Sequence, residues 1–111
     1  MLGGLGDLAG MLKQAKEMKG RMDQLQAELK DRRHTAEAGA GAVSATVDGR
    51  GALVDITIQA EATQDVELLE DLVKAAVGAA TKKSHQDMHN EMAKLTGGLN
   101  VPGLADMLGN S

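Results

Sequence analysis

The chain has 111 residues, enough for one small domain, and 42% of them are hydrophobic, which argues against disorder throughout. It contains no Phe, Tyr, Trp or Cys, which excludes disulfides, thiol catalysis and the stacking of unpaired bases on aromatic side chains. The formal net charge of −4 argues against binding a polyanion when it is taken over the whole chain.

The distribution of the charge changes that conclusion. Residues 8–33 carry seven basic and four acidic side chains, a net charge of +3, whereas residues 34–64 sum to −3. Residues 65–96 sum to −2, which divides into −4 before Lys74 and +2 from Lys74 onward. Positive charge therefore concentrates on the first segment and on the far part of the last, and a local basic stripe matters more to a polyanion than the overall sum.

The first segment is predicted to be a long helix with one apolar seam. Residues 1–7 are rich in glycine and are predicted to form a flexible arm, with Asp7 as the N-cap of a helix that begins at Leu8. Apolar residues then recur in the a/d heptad pattern of a helix that pairs with another helix. The seam consists of Leu8, Met11, Ala15, Met18, Met22, Leu25 and Leu29.

The middle segment is predicted to form three antiparallel strands. After residue 33 the apolar period changes from near 3.6 to 2, over residues 34–38, 43–48 and 53–58. Glycines in residues 39–41 and 48–51 supply the two turns. The third strand places its apolar side chains on one face, and these are Val54, Ile56 and Ile58. The result is a small sheet with one apolar face.

The last segment is predicted to be a second long helix from Asp65 to about Leu95. Its first half carries a broad apolar stripe that is expected to lie on the sheet, formed by Leu69, Leu72, Val73, Ala76, Val77 and Ala80. Residues 81–91 contain only one strongly apolar side chain, Met88, so this part is expected to project from the sheet and pair with the first helix. Residues 97–111 are expected to form a flexible tail.

These elements predict an α+β fold of order αβββα, with a single domain over residues 8–96. A core without aromatic side chains is small for a monomer of this size, so we expect an obligate homodimer joined through the sheets, with paired helices projecting from it. The residues assigned to the dimer interface or the core are Met18, Met22, Leu25, Val54, Ile56, Leu69, Leu72 and Val73.

Four sequence blocks, in order and with matching spacing, resemble the YbaB/EbfC family of bacterial nucleoid-associated proteins. They are residues 11–15 with the methionine and leucine series that follows, 39–49, 68–76, and 92–99 with the Pro102-Gly103 pair. The resemblance covers nearly the whole chain and implies a tweezer-like homodimer in the cytoplasm that binds double-stranded DNA, alters its conformation, helps organise the nucleoid and affects gene expression. It implies no enzymatic activity and no cofactor. The chain departs from the family pattern in lacking aromatic residues, in its acidic balance and in carrying Lys74 within the third block.

Basic residues on the two helices are the predicted DNA contacts. Lysine and arginine bind phosphates and release counterions without reading bases. Arg21 and Arg32 each follow a glutamate by four residues, Glu17 and Glu28, and are expected to be neutralised by it. The predicted contacts are therefore Lys13, Lys16, Lys19, Lys30, Arg33, Lys82, Lys83 and Lys94.

The sequence gives weaker signals for other kinds of site and for other functions. His85 and His89 have the spacing of two metal ligands on one helix face, but no third ligand is evident, so we predict no metal site. The acidic pairs near residues 65–71 suit a helix N-terminus, and no catalytic base or nucleophile stands out. A coiled-coil module that binds another protein and not DNA is the alternative function. An amphipathic membrane binder is less favoured because packing consumes the apolar stripe, and no run is long enough to span a bilayer.

Overall fold

The fold follows the predicted order of elements. The structure, a computed structural model, describes residues 3–97, and therefore leaves the predicted tail beyond Gly97 outside the described residues. The elements are helix α1 (Gly3–Asp31), strands β1 (Arg33–Ala38), β2 (Val43–Asp48) and β3 (Leu53–Ile58), a 3₁₀ helix (Ala60–Gln64) and helix α2 (Val66–Thr96). The α+β class and the αβββα order are thereby confirmed.

Helix α1 begins earlier than predicted. It starts at Gly3, not at Leu8, so Asp7 lies inside the helix and is not its N-cap. Glycine disfavours helix by about 1 kcal/mol relative to alanine, but extending an existing helix by one residue costs far less than nucleating a new one. The glycine-rich residues are therefore helical because they extend the long helix that follows them.

The three strands form an antiparallel meander in the order β1-β2-β3. In the β1–β2 turn Gly39, Ala40 and Gly41 all adopt positive φ angles, of 64°, 57° and 90°. A Cβ atom at Gly39 would also lie 2.9 Å from Cδ2 of Leu72 on α2, so a side chain there would strain the backbone and displace Leu72.

The core lies between α2 and the first two strands. Val43, Ala45 and Val47 of β2 are fully buried against Ala76 and Ala80 of α2, which are fully buried too. Small alanines allow the helix to approach the sheet closely. The predicted stripe on α2 packs here as well, since its larger members Leu69, Leu72, Val73 and Val77 are half-buried around this cluster.

The second half of α2 does not leave the sheet where the sequence indicated. Residues 81–91 were expected to project, but Ser84 is fully buried and its Oγ donates a hydrogen bond of 2.9 Å to the Asp48 carbonyl. The preceding residue, Lys83, donates from Nζ to the carbonyl of Thr35 on β1 at 2.7 Å. Periodicity missed this contact because a serine with a buried, satisfied hydroxyl is indistinguishable in sequence from an exposed one.

The predicted seam of α1 is covered only in its second half. Leu25 and Leu29 are buried, and Met18 and Met22 are half-buried. Nearer the start of the helix, Leu8, Met11 and Leu12 are 53%, 66% and 58% exposed. This half of the seam has no covering element among the described residues of the chain.

An ion-pair network joins the end of α1 to α2. Arg32 Nη1 donates to both carboxylate oxygens of Asp87, at 2.9 and 2.8 Å, and to Oε1 of Glu91 at 3.2 Å. The expected pairing of Arg32 with Glu28 is wrong, because α1 ends at Asp31 and the four-residue spacing no longer applies beyond a helix end. The Arg32 guanidinium holds the pKa of Asp87 below its ordinary value.

We predict that Gly49→Ala destabilises the fold by about 1–3 kcal/mol, the usual range for overpacking. A Cβ atom at Gly49 would clash with the carbonyl oxygen of Leu29, which is backbone and cannot rotate away. Gly20→Ala is the matched control, since nothing lies within 4 Å of a Cβ atom there, and it should stabilise by up to about 1 kcal/mol. Urea unfolding followed by circular dichroism measures both, and equal effects of the two substitutions would contradict this packing.

We also predict that Asp87→Asn lowers the free energy of unfolding by about 1 kcal/mol at pH 7, an estimate reduced for the partial exposure of the pair. Because the folded-state pKa of Asp87 is depressed, its contribution is present above the unfolded carboxyl pKa and is lost as the pH falls through the folded value. The difference between the variant and the unmodified protein should therefore shrink below about pH 4.

The control for this substitution is Glu28→Gln, which removes the same charge from an exposed residue of α1 that does not contact Arg32. It should change the free energy of unfolding by less than about 0.5 kcal/mol at any pH. An Asp87→Asn difference that stays constant from pH 7 to pH 3 would show that the ion pair does not carry this stability.

Candidate nucleic-acid interface

Four of the predicted DNA-contacting lysines share one flank of α1. At about 100° per residue, Lys13, Lys16, Lys19 and Lys30 fall within a sector of about 120° beside the apolar seam. All four are exposed, and within residues 3–97 their ammonium groups have no hydrogen-bond or ion-pair partner. Asp23 and Asp31 lie in the same sector and offset two of these four charges. The flank keeps a net positive charge, which suits a phosphate backbone.

The remaining four predicted cations differ in their surroundings. Lys82 on α2 is exposed and, in the described part of the chain, unpaired. Arg33 donates from Nη1 to the carbonyls of Lys30 and Arg32 at 2.9 and 2.8 Å, where it closes the end of α1. The ammonium group of Lys83 donates to the Thr35 carbonyl at the edge of β1, as described above.

Lys94 contacts an acid of the network that joins the helices. Its Nζ lies 3.3 Å from Oε1 of Glu91, which also accepts from Arg32. These hydrogen bonds, with the one from Lys94 the stronger influence, hold the pKa of Glu91 below its ordinary value. Lys94 itself remains largely exposed, so this contact leaves it accessible to a ligand.

The β2–β3 turn presents a further cation that the sequence interpretation left out. Arg50 is exposed at the tip of this turn, between Asp48 and Gly51. The carboxylate of Asp48 accepts hydrogen bonds from the backbone N–H groups of Ala52 at 3.0 Å and Arg50 at 2.8 Å. These bonds lower the pKa of Asp48. The sequence signal was available, because Arg50 is the one basic residue of the acidic segment 34–64.

A second notable surface is apolar and lies on β3. The side chains of Val54, Ile56 and Ile58 remain 46%, 36% and 39% exposed, because α2 crosses β1 and β2 and leaves β3 largely uncovered. A cleft of about 400 Å³ continues this apolar β3 surface towards α2. It is lined by Ile58, Val66, Leu69, Glu70, Val73 and Lys74.

The two histidines of interest, His85 and His89, are exposed on α2 and line one shallow depression of its surface. Among the described residues there is no group of three or more His, Cys, Asp or Glu side chains placed to hold a metal ion. Likewise, neither α1 nor α2, over the residues that can be described, is long and apolar enough to cross a membrane.

Comparison with known proteins places this arrangement in a family. The model of the YbaB/EbfC DNA-binding family matches residues 4–99. A nucleoid-associated protein of Clostridium acetobutylicum is 43% identical over 103 residues, covering 91% of this chain and 92% of that protein. A nucleoid-associated protein of Thermoanaerobacter pseudethanolicus is 44% identical over 100 residues, covering 88% of this chain and 90% of that protein.

A solved structure agrees with these sequence matches. The crystal structure of an uncharacterized protein from Helicobacter pylori, HP0035, superimposes with a TM-score of 0.71 at 30% sequence identity, covering 79% of this chain and 91% of that one. The family model spans most of the chain, and the relatives match it over most of their own lengths. The chain therefore belongs to the YbaB/EbfC DNA-binding family.

Proposed function

We propose that this protein is a nucleoid-associated protein that binds double-stranded DNA as a homodimer, mainly through phosphate contacts. The observation that carries the proposal is the unpaired lysine flank of α1, which runs beside an apolar seam on a helix of the DNA-binding family. Lysines spread from Lys13 to Lys30 extend over about 26 Å of helix, a length comparable to several base pairs of duplex. The location that follows is the nucleoid, in the cytoplasm.

Phosphate contacts of this kind predict binding with little dependence on base sequence. Side chains that reach only the backbone position the protein but carry no direct sequence information. The chain also lacks aromatic side chains that would stack on unpaired bases. A double-stranded backbone is therefore the ligand that the side chains of this surface suit best. Organisation of the nucleoid and effects on gene expression would follow from changes in DNA conformation.

The dimer is proposed to form through β3. This strand is at one edge of the sheet, and its apolar β3 surface is exposed in the single chain. At the opposite edge, β1, the ammonium group of Lys83 donates a hydrogen bond to the Thr35 carbonyl. A lysine at a sheet edge disfavours pairing with a further strand. Burying apolar surface is worth about 25 cal/mol per Å², so a second copy that covers β3 would enlarge a core that is small for one chain.

A second candidate function is supported by the exposed first half of the α1 seam. Leu8, Met11 and Leu12 form an apolar strip that a helix of another protein could cover. Under this alternative, the lysines beside the strip would serve solubility and partner choice, and the protein would not bind DNA. Binding of DNA is favoured because the family that matches the chain is a DNA-binding one.

The dimer proposal predicts that Ile56→Lys disrupts association, because it places a charge in the middle of the apolar β3 surface. The variant should sediment as a monomer or lose its helical circular dichroism at micromolar concentration. Thr57→Lys is the matched control on the opposite face of the same strand, and it should remain dimeric and folded. Ile56→Lys sedimenting as a stable dimer would show that the copies join elsewhere.

The DNA proposal predicts a steep dependence of affinity on salt, which we would measure by fluorescence anisotropy with a random duplex of about 20 base pairs. Replacing Lys13, Lys16 and Lys19 together by Gln should weaken binding and reduce the slope of log K against log salt by about one for each lysine that contacts a phosphate. Arg21→Gln, on the other flank of α1, should have little effect. A folded dimer that binds no duplex at low salt would favour the protein-interaction alternative.

A further inference from the structure

Hydrogen bonds within the β2–β3 turn fix its backbone. The N–H of Asp48 donates to the carbonyl of Ala52 at 2.8 Å, and the N–H of Gly51 donates to the carbonyl of Asp48 at 3.1 Å. The Asp48 carboxylate closes the turn from the inside through the N–H groups of Arg50 and Ala52. Gly51 has a φ of 88°, a conformation that glycine adopts without strain.

Both helices hold this turn in place. The N–H of Gly49 donates to the carbonyl of Leu29 in the last turn of α1, at 2.8 Å. The buried hydroxyl of Ser84 on α2 donates to the carbonyl of Asp48, at 2.9 Å. A Cβ atom at Gly51 would lie 3.4 Å from Nε2 of His85, so the turn also packs against the side of α2. The turn is therefore wedged between the end of one helix and the middle of the other.

Arg50 is the single long side chain of this turn, and its guanidinium is free. Within residues 3–97 it has neither a hydrogen-bond acceptor nor an ion-pair partner, and the neighbouring carboxylate of Asp48 is buried and occupied by backbone N–H groups. An arginine at the tip of a flexible loop would ordinarily be no more than a solvated side chain. Here the backbone beneath it is already ordered, so a ligand that binds Arg50 would have to order only its side chain and not the turn as well.

The position of Arg50 connects the two cationic regions of the molecule. The end of α1, with Lys30 and the nearby Arg33 at the start of β1, meets the turn through the bond from Gly49 to Leu29. On the other side, Gly51 abuts His85, which lies one helical turn from the unpaired Lys82 on α2. A guanidinium suits a phosphate at this point because it can donate two parallel hydrogen bonds to it.

We propose that the β2–β3 turn is a phosphate-binding element of the DNA interface, in which Arg50 contacts the duplex backbone between the cations of α1 and those of α2. This inference rests on the proposed function, because the phosphate is that of a bound duplex. The lysines spread along α1 would then be joined by one contact of fixed position, where the end of α1 meets the middle of α2. The rigid turn would set the position of the duplex relative to the sheet, while the lysines follow the backbone outward.

The test compares Arg50→Gln and Arg50→Lys in the full chain, with the same 20-base-pair duplex between 50 and 200 mM salt. Arg50→Gln should weaken binding about eightfold at 0.1 M salt for each Arg50 that contacts a phosphate, and reduce the salt slope by about one per contact. Arg50→Lys should keep the slope because it keeps the charge. Arg21→Gln is the control for a general loss of positive charge, and thermal unfolding of all variants should match that of the unmodified protein.

Two results would overturn this inference without touching the proposed function. One is Arg50→Gln binding with the affinity and salt slope of the unmodified protein. The other is a loss of affinity that the Arg21→Gln control reproduces in full, because the effect would then be one of overall charge. Absence of duplex binding by the unmodified protein would instead remove the proposed function, and this inference with it.

Discussion

The uneven covering of the sheet is the constraint on which the rest of this structure depends. Helix α2 lies on β1 and β2, where Ala76 and Ala80 allow close contact, and leaves the apolar side chains of β3 in solvent. With no aromatic residue in the chain, the single-chain core consists of small and medium side chains. Because this strand keeps its apolar side chains partly exposed, a second copy can bury apolar surface there, which is why the proposed homodimer is placed at β3.

The second organising feature is the junction at Asp48 and Gly49. Backbone and side-chain hydrogen bonds bring the end of α1, the β2–β3 turn and the middle of α2 to this point. Because Gly49 is packed against the Leu29 carbonyl, the direction in which α1 leaves the sheet is set by backbone contacts and not by its long charged side chains. The proposed interface thus consists of exposed lysines on a helix whose last turn is held by a backbone hydrogen bond.

Much of the fold could be predicted from the sequence because its signals are local. The change of apolar period after Arg33 and the glycines at residues 39–41 and 48–51 identify the three strands, and the stripe on α2 identifies its buried face. The errors arose where tertiary context decides. Arg32 binds Asp87, far along the chain, and Ser84 is buried although its residue type is polar.

The candidate site was less predictable than the fold. Charge and spacing identified the lysines of α1, but only the structure shows that Lys83 is occupied at the edge of β1 and that Arg50 lies between two cationic regions. These properties depend on which elements meet, and a single sequence carries no direct signal for that. The exposure of the α1 seam near Met11 likewise depends on where α2 ends.

The most direct measurement is the mass and helicity of the unmodified protein through dilution from micromolar to low nanomolar concentration. The chain lacks tyrosine and tryptophan, so absorbance at 280 nm cannot be used to follow sedimentation. Interference optics would be used at the higher concentrations, and far-ultraviolet absorbance would be used at the lower ones. The account predicts dimers wherever helical circular dichroism is retained, with loss of helix on dissociation. A monomer that keeps the full helical signal would contradict it.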